Sequence, residues 1–186
     1  MDEKREQVLQ ATLDLINERG LQSTPMSAIA KRSGVAVGTI YHHFDNKEIL
    51  VTALYQKLSG KLGEYALHNY DAAAPVRARF SNIWTNALRF TLRHPKEVLF
   101  LDQYAYSPYI DPVAKEDISG WFLTLGQIFA EGQAQQIIKP LHPEILIHMT
   151  LGMLMYLAKG QIGGKLELDE ETQQAAVDAC WDAIRS

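Results

Sequence analysis

Apolar residues recur at intervals of three and four along almost the whole chain, which is the spacing of amphipathic α-helices. The first such pattern covers residues 3–19 and ends at Gly20. We find no internal repeat, no low-complexity segment and no convincing strand, so the pattern predicts an all-α protein. The positions on and beside the buried face of the first helix are Val8, Leu9, Ala11, Thr12, Leu13, Leu15 and Ile16.

Two short helices are predicted next. Thr24 is a suitable cap for the first of them, Pro25 suits its first turn, and Gly34 ends it by allowing a left-handed turn. In the helix that follows, Val35 and Ile40 point inward. Two short helices joined by a tight turn predict a helix-turn-helix over residues 25–44. The residues left to face outward are Val37, Gly38, Thr39, Tyr41, His42 and His43.

This outward face consists of small residues, hydroxyls and imidazoles, which suit close approach to the major groove of DNA. We expect Tyr41, His43 and Lys47 to contact phosphates. Thr24 and Ser27, from the preceding segment, complete the predicted DNA-binding set. The positions expected to lie near the bases are Ala36, Val37, Gly38, Thr39 and His42.

The distribution of charge agrees with a DNA-binding amino-terminal part, although the net charge of −4 does not mark a basic protein. Residues 1–61 contain eight Lys or Arg and seven Asp or Glu, whereas residues 62–186 contain ten and fifteen. Within residues 19–47, four basic residues face one acidic residue, Asp45. The positive charge is therefore concentrated on the predicted helix-turn-helix.

One set of residues in the amino-terminal third of the chain forms a dense, specific pattern, namely Arg5, Val8, Leu9, Ala11, Leu13, Leu15, Gly20, Ile29, Ala30, Gly34, Val35, Gly38, Thr39, Ile40, Tyr41, Phe44, Lys47 and Glu48. By this pattern the chain resembles the tetracycline-repressor (TetR) family. Thr12, Ile16 and Ala36 depart from the family pattern, and Ala36 stands where a serine or threonine often caps the recognition helix. The resemblance implies a three-helix DNA-binding head followed by a larger helical ligand-binding and dimerisation domain.

The rest of the sequence predicts further helices. One runs over about 46–67 with Asp45 or Asn46 as its cap, and a second ends at His94. A third runs from Pro95 to about Tyr106, and a fourth is opened by Asp111 and Pro112 and continues through Phe129. We predict a DNA-binding domain over 1–61 and a ligand-binding and dimerisation domain over 62–186.

The last two predicted helices, 143–162 and 169–185, are apolar nearly all round, so each needs cover on both sides. From the pattern alone, a central helix of one domain and a dimer face are about equally good interpretations. The TetR resemblance favours the dimer, with Gly152, Gly160, Ala176 and Ala183 allowing close packing. A two-fold homodimer would match palindromic double-stranded DNA.

Large aromatic residues are frequent in the middle of the chain. Aromatic residues at helical spacing usually form a protein core, but the resemblance implies a small-molecule pocket among these helices, with Gln103 as one of its polar groups. The other residues predicted to line it are Trp84, Leu88, Phe100, Tyr104, Trp121, Phe122, Met149, Met153 and Tyr156.

Catalysis and metal binding find no support in the sequence. The six histidines show no chelating spacing, and Gly160–Gly164 has no preceding strand to make it a nucleotide loop. A single cysteine, Cys180, excludes an internal disulfide, and no secretory signal or membrane span is evident, so we expect a cytoplasmic protein without a cofactor.

The expected function is a ligand-responsive transcriptional regulator, a repressor that an apolar or aromatic small molecule releases from a palindromic operator. One alternative is a small-molecule binding or carrier protein that no longer binds DNA, and a weaker one is a helical enzyme that uses the apolar pocket. Binding of an operator in vitro separates the first two.

Overall fold

The computed structural model describes residues 3–110 and 120–186 and confirms the all-α prediction. Within these residues there are nine helices and no strand, and the isolated bridge between Ile138 and Arg185 is the sole extended pairing. The first five helices are α1 (Glu3–Arg19), α2 (Met26–Ser33), α3 (Val37–His43), α4 (Lys47–Ala66) and α5 (Val76–Arg93). The other four are α6 (Pro95–Tyr104), α7 (Gly120–Ala134), α8 (Pro143–Ile162) and α9 (Glu170–Ile184).

Most helix ends follow local signals. The Asn46 side chain accepts a hydrogen bond from the Ile49 amide at 2.8 Å, and Asp169 caps α9 through the Thr172 amide at 2.8 Å. The prediction that Thr24 caps α2 is wrong: its hydroxyl donates to the Gly20 carbonyl at 2.8 Å, and no side chain caps α2. The predicted helix start at Asp111 and Pro112 lies outside the described residues.

The chain forms two compact units that do not correspond to a single cut in the sequence. The described part of the first unit consists of residues 3–60 and 96–110, so α6 packs with the amino-terminal helices. The two-domain boundary at residue 61 is a functional division and stays a prediction. Fully buried side chains of this unit include Val8, Leu9, Ile29, Ile40, Phe44, Leu50, Leu54, Phe100 and Ile110.

The second unit consists of residues 61–95 and 120–186, and α5 lies at its centre against α7, α8 and α9. The Phe80 ring packs 6.1 Å from Phe129 and 5.7 Å from Trp181, measured between ring centroids. The Trp84 indole donates a hydrogen bond to the Thr150 carbonyl at 3.0 Å. Aromatic side chains from α5, α7 and α9, with a hydrogen bond to α8, therefore hold this unit together.

Helix α8 buries one stripe and exposes another. Leu146, Thr150, Leu154 and Ala158 are buried. Of the described helices, α8 is the one long and apolar enough to cross a membrane by length and composition, which is weak evidence for a span, and α8 packs against α5 and α7. Its outer face is apolar as well, as predicted, whereas α9 buries a single stripe and exposes acidic residues. The exposed apolar residues of α8 include Ile145, Met149, Tyr156 and Ile162.

Candidate DNA-binding surface

The turn between α2 and α3 depends on one glycine. Gly34 has φ of +71°, a left-handed conformation that side chains disfavour, and its amide donates to the Ala30 carbonyl at 3.0 Å. Val35 then turns inward with an exposed fraction of 6%. The chain thereby reverses within three residues and starts α3, as the sequence predicted.

Helix α3 is anchored from below by apolar contacts. Ile40 is fully buried, and Phe44, which ends the helix, lies beneath the Arg5 guanidinium at 5.4 Å from the ring centroid. At the other end, Ala36 supplies no side-chain cap, and its carbonyl accepts from the amides of Thr39 and Ile40 at 2.9 and 3.1 Å. A seven-residue helix is thus fixed by its buried side and presents its other side outward.

The outer side of α3 has the predicted composition. Val37 and Tyr41 are exposed by 39% and 47%, and Gly38 and His42 are exposed too. Thr39 and His43 are half-buried at the edges of this face. Its chemistry is therefore mixed, with apolar, hydroxyl and imidazole groups side by side, which suits contact with base edges and phosphates together.

The remaining predicted DNA-binding residues occupy different environments. Ser27 and Ala36 are exposed, whereas Thr24 is fully buried, so its side chain does not reach the surface. Lys47 is half-buried, and its ammonium donates to the Leu21 carbonyl. This burial lowers the pKa of Lys47, while the neighbouring carboxylate of Glu48 opposes the shift.

One of the four basic residues within residues 19–47 already forms an ion pair with an acidic side chain. The Arg32 guanidinium forms two hydrogen bonds of 2.8 Å with the Glu18 carboxylate, and this pairing lowers the pKa of Glu18. Lys31, on the same helix, is exposed. The positive field near α3 therefore comes from fewer groups than the local sequence indicates.

Sequence reasoning missed two residues beside the helix-turn-helix. Gln22, in the loop between α1 and α2, donates through its side-chain amide to the Tyr109 hydroxyl. Tyr109 is 87 residues beyond Gln22, so no local spacing could signal this contact. Together they border a cavity of about 70 Å³, whose lining is Leu21, Gln22, Lys47, Glu48, Val51 and Tyr109.

The predicted ligand-binding residues are not all in one place. Phe100, Gln103 and Tyr104 belong to the first unit, where Gln103 is exposed. On the second unit, Tyr156 is exposed by 83% and Met149 by 39%. The remaining five share the core of the second unit, namely Trp84, Leu88, Trp121, Phe122 and Met153.

The second unit contains three buried polar atoms without a hydrogen-bond partner in the described part of the chain. They are the indole nitrogen of Trp121, the side-chain oxygen of Asn82 and the Nε of Arg79, two donors and an acceptor. The Trp121 ring also packs closely on α4, because a Cβ placed on Gly63 would lie 3.2 Å from it. Unsatisfied buried polar atoms are costly and are rare in native proteins.

The described residues contain no group of three or more His, Cys, Asp or Glu that could hold a metal ion. Cys180 is buried beside Trp84, and burial raises its pKa to about 12, so its thiol stays protonated and unreactive at neutral pH.

A helix-turn-helix with an exposed third helix defines a DNA-binding protein, and comparison with known proteins gives its family. Residues 8–54 match the model for bacterial regulatory proteins of the tetR family. Residues 75–185 match the model for the tetracyclin repressor-like C-terminal domain. The chain belongs to the TetR family and is a helix-turn-helix transcriptional regulator.

Similar proteins cover the whole chain. An HTH-type transcriptional regulator of Haemophilus influenzae is 25% identical over 181 residues, which is 97% of this chain and 95% of the relative. The crystal structure of a TetR family regulator from Marinobacter aquaeolei VT8 has a TM-score of 0.91 at 23% identity, covering 100% and 97% of the two chains. A Vibrio parahaemolyticus structure described as a TetR family protein has a TM-score of 0.80 at 25% identity, covering 99% and 100%.

Proposed function

We propose that the protein is a homodimeric repressor that binds a palindromic operator and is released from it by an apolar or aromatic small molecule. The observation that carries the proposal is the exposed outer side of α3, fixed by Ile40 and Phe44. As a regulator of transcription, the protein acts in the cytoplasm.

The DNA contacts follow from exposure. Ala36, Val37, Gly38, Thr39 and His42 lie nearest the bases, where small side chains let the helix approach closely. Tyr41 and His43 reach phosphates. Lys47 holds the Leu21 carbonyl with one of its three N–H donors, which leaves two for a phosphate.

Backbone amides at the start of α2 form a further part of the proposed DNA contact, because the helix has no side-chain cap. Its N-cap residue, Pro25, supplies no side-chain acceptor for the amides of the first turn, and Ser27 is exposed there. Amides at a helix amino terminus are suited to bind phosphate oxygens. This contact, together with those of α3, would place the head in the groove without adding sequence information.

Dimerisation is the second part of the proposal. The exposed positions Ile145, Met149, Gly152 and Tyr156 recur at intervals of four, three and four, so they form one stripe along α8. Of the small residues predicted to allow close packing, Gly152 is exposed, whereas Gly160 packs on Leu166 and Ala176 on the core. On α9 the small exposed positions are instead Ala175 and Ala179. A homodimer that reads a palindrome needs its two α3 helices in successive major grooves, about 34 to 36 Å apart.

The ligand site is the third part. We place it at the core of the second unit, where the Trp121 indole nitrogen and the Asn82 oxygen have no partner among the described residues. A largely apolar molecule with an acceptor for the Trp121 indole and a donor for the Asn82 oxygen would satisfy these atoms while the aromatic rings enclose the rest. Binding there would press on α4 through Gly63 and shift the equilibrium away from the DNA-binding state.

Selection of bound duplexes from random DNA with the purified full chain tests the proposal. We expect a palindromic consensus, a steep decrease of affinity with salt, and a slope smaller by about one for Lys47→Ala on every sequence. Thr39 variants should change the consensus instead. Enrichment of no sequence would contradict the DNA-binding part.

A compound screen then separates the repressor from a carrier. Ligands of a repressor quench tryptophan emission and also dissociate the selected duplex, because the two sites are coupled. Ligands that bind tightly and leave DNA affinity unchanged would favour a small-molecule carrier.

A further inference from the structure

The loop between α1 and α2 is held by side chains from two distant parts of the chain. Lys47, at the start of α4, donates to the Leu21 carbonyl. From the segment after α6, the Tyr109 hydroxyl accepts from the Gln22 side chain. The loop is therefore restrained at two consecutive residues, only a few positions before α2 begins at Met26.

The segment that carries Tyr109 is itself fixed to the first unit. Ile110 has an exposed fraction of 1%, and the Tyr109 carbonyl accepts from the Thr52 hydroxyl at 3.5 Å. Tyr104 is buried, which raises its pKa, while a hydrogen bond with the Leu21 backbone opposes that rise. Two residues of the segment 104–110, Tyr104 and Tyr109, thus connect it to the loop and to α4.

Elsewhere in the loop, the Leu21 and Thr24 side chains are buried, and the Thr24 amide and hydroxyl donate to the Leu21 and Gly20 carbonyls at 3.1 and 2.8 Å. Gln22 and Ser23, between them, are exposed, and α2 has no side-chain cap at its start. Restraint of Gln22 by Tyr109 therefore acts at the point where the chain enters the helix-turn-helix. A flexible entry would have to be ordered when α2 and α3 dock on DNA, and this ordering costs binding free energy.

We propose that Tyr109 is a positioning residue for DNA binding. Through Gln22 it holds the α1–α2 loop in the conformation that α2 and α3 need to dock. The loop is therefore already ordered in the free protein, and ordering it does not reduce the free energy of DNA binding. The proposal requires DNA binding alone and does not depend on the dimer or on a small molecule.

The test uses the full chain with Tyr109→Phe, which keeps the ring and removes the hydroxyl. Hydrogen exchange of the loop amides, residues 21–24, is measured without DNA, and affinity is measured on a duplex selected by the wild-type protein. We expect exchange to become several-fold faster and affinity about five-fold weaker, the effect of one hydrogen bond. The salt slope should stay the same because no phosphate contact is lost.

Tyr65→Phe is the matched control. It also removes a tyrosine hydroxyl that accepts a hydrogen bond, in this case from the Arg93 guanidinium at 2.7 Å in the second unit. Loop exchange and DNA affinity should equal those of the wild type. Gln22→Ala should reproduce the effect of Tyr109→Phe, and the double variant should be no weaker than either single variant, because both changes break one contact.

Two results would overturn the proposal. Wild-type loop exchange in Tyr109→Phe would show that the hydroxyl does not restrain the loop, whatever happens to affinity. Faster exchange with unchanged affinity would show that the restraint does not serve DNA binding. Exchange is measured on the free protein, so a direct contact of Tyr109 with DNA cannot produce the expected change.

Discussion

Two helices of this regulator expose side chains that a single chain leaves uncovered, and their surfaces differ in chemistry. On α3 the exposed side mixes Val37 and Gly38 with Tyr41 and His42. On α8 the exposed stripe contains Ile145, Met149 and Tyr156 and is almost entirely apolar. A mixed surface of short side chains suits nucleic acid, whereas a continuous apolar stripe suits another protein surface.

The two surfaces also differ in how they are supported. Helix α3 has seven residues and depends on Ile40 and Phe44 beneath it, so its outer positions are free to vary with the operator. Helix α8 has 20 residues, and its buried and exposed stripes are both apolar. A substitution in the core should therefore affect stability, one on α8 assembly, and one on α3 recognition.

The largest effect is expected from the core, where neither surface is touched. Phe80→Ala removes a fully buried ring that contacts Phe129 and Trp181, and it should lower the free energy of unfolding by about 3–5 kcal/mol. Chemical denaturation at a fixed protein concentration measures this. A loss below about 1 kcal/mol would contradict the central role of this cluster.

The next effect concerns the α8 surface. A Cβ on Gly152 meets nothing within 4 Å, so Gly152→Arg fits the single chain but places a charge in the proposed dimer contact. We expect a folded monomer by light scattering and operator affinity reduced by about 100-fold or more, because two linked heads bind far more tightly than one.

Gly126→Arg, on α7, provides the control for this change, since Gly126 also has open space around a Cβ. It should remain a dimer with wild-type operator affinity. If Gly152→Arg also stays dimeric, the α8 stripe is not the subunit contact.

A smaller and more selective effect is expected on α3. Thr39→Ala removes a half-buried hydroxyl and methyl at the edge of the DNA-facing side. The free energy of unfolding should change by less than about 0.5 kcal/mol, while discrimination at one base pair decreases by about 1–3 kcal/mol. Repeating the DNA selection with the variant measures this, and an unchanged consensus would remove Thr39 from base readout.

The smallest effect concerns Cys180, which lies under neither surface. Burial raises its pKa from 9.0 to about 12, so the folded protein holds the thiol proton more tightly than the unfolded chain does. Stability should therefore be unaffected below pH 9 and decrease as pH rises from 9 toward 12. A thiol reagent at pH 8 should modify Cys180 only after denaturation, and rapid modification of the native protein would contradict its burial.

Local signals predicted the helix-turn-helix well. Gly34 ends α2 with a positive φ, Ile40 is buried, and the outer residues of α3 are exposed or half-buried as expected. These features depend on neighbours within a few positions, which sequence periodicity captures. Thr24 was the exception, because its hydroxyl found a carbonyl on the preceding side, at Gly20, instead of the amides of α2.

The pattern of apolar residues in the sequence did not predict which helices pack together. Periodicity indicates that Phe100 and Tyr104 lie on a buried face, but not that α6 packs with the amino-terminal helices. For the same reason it could not distinguish Tyr156, which is exposed, from Trp84, which is buried. The contact between Gln22 and Tyr109 joins residues 87 positions apart and leaves no sequence signal.

The central claim is that two chains associate through their α8 surfaces and that their two α3 surfaces bind one DNA site together. The most direct measurement is light scattering of the complex between the full chain and the duplex selected from random DNA. We predict two chains on one palindromic duplex, with no stable complex of one chain. A single chain bound specifically to one half-site, with the affinity of the full palindrome, would contradict the account.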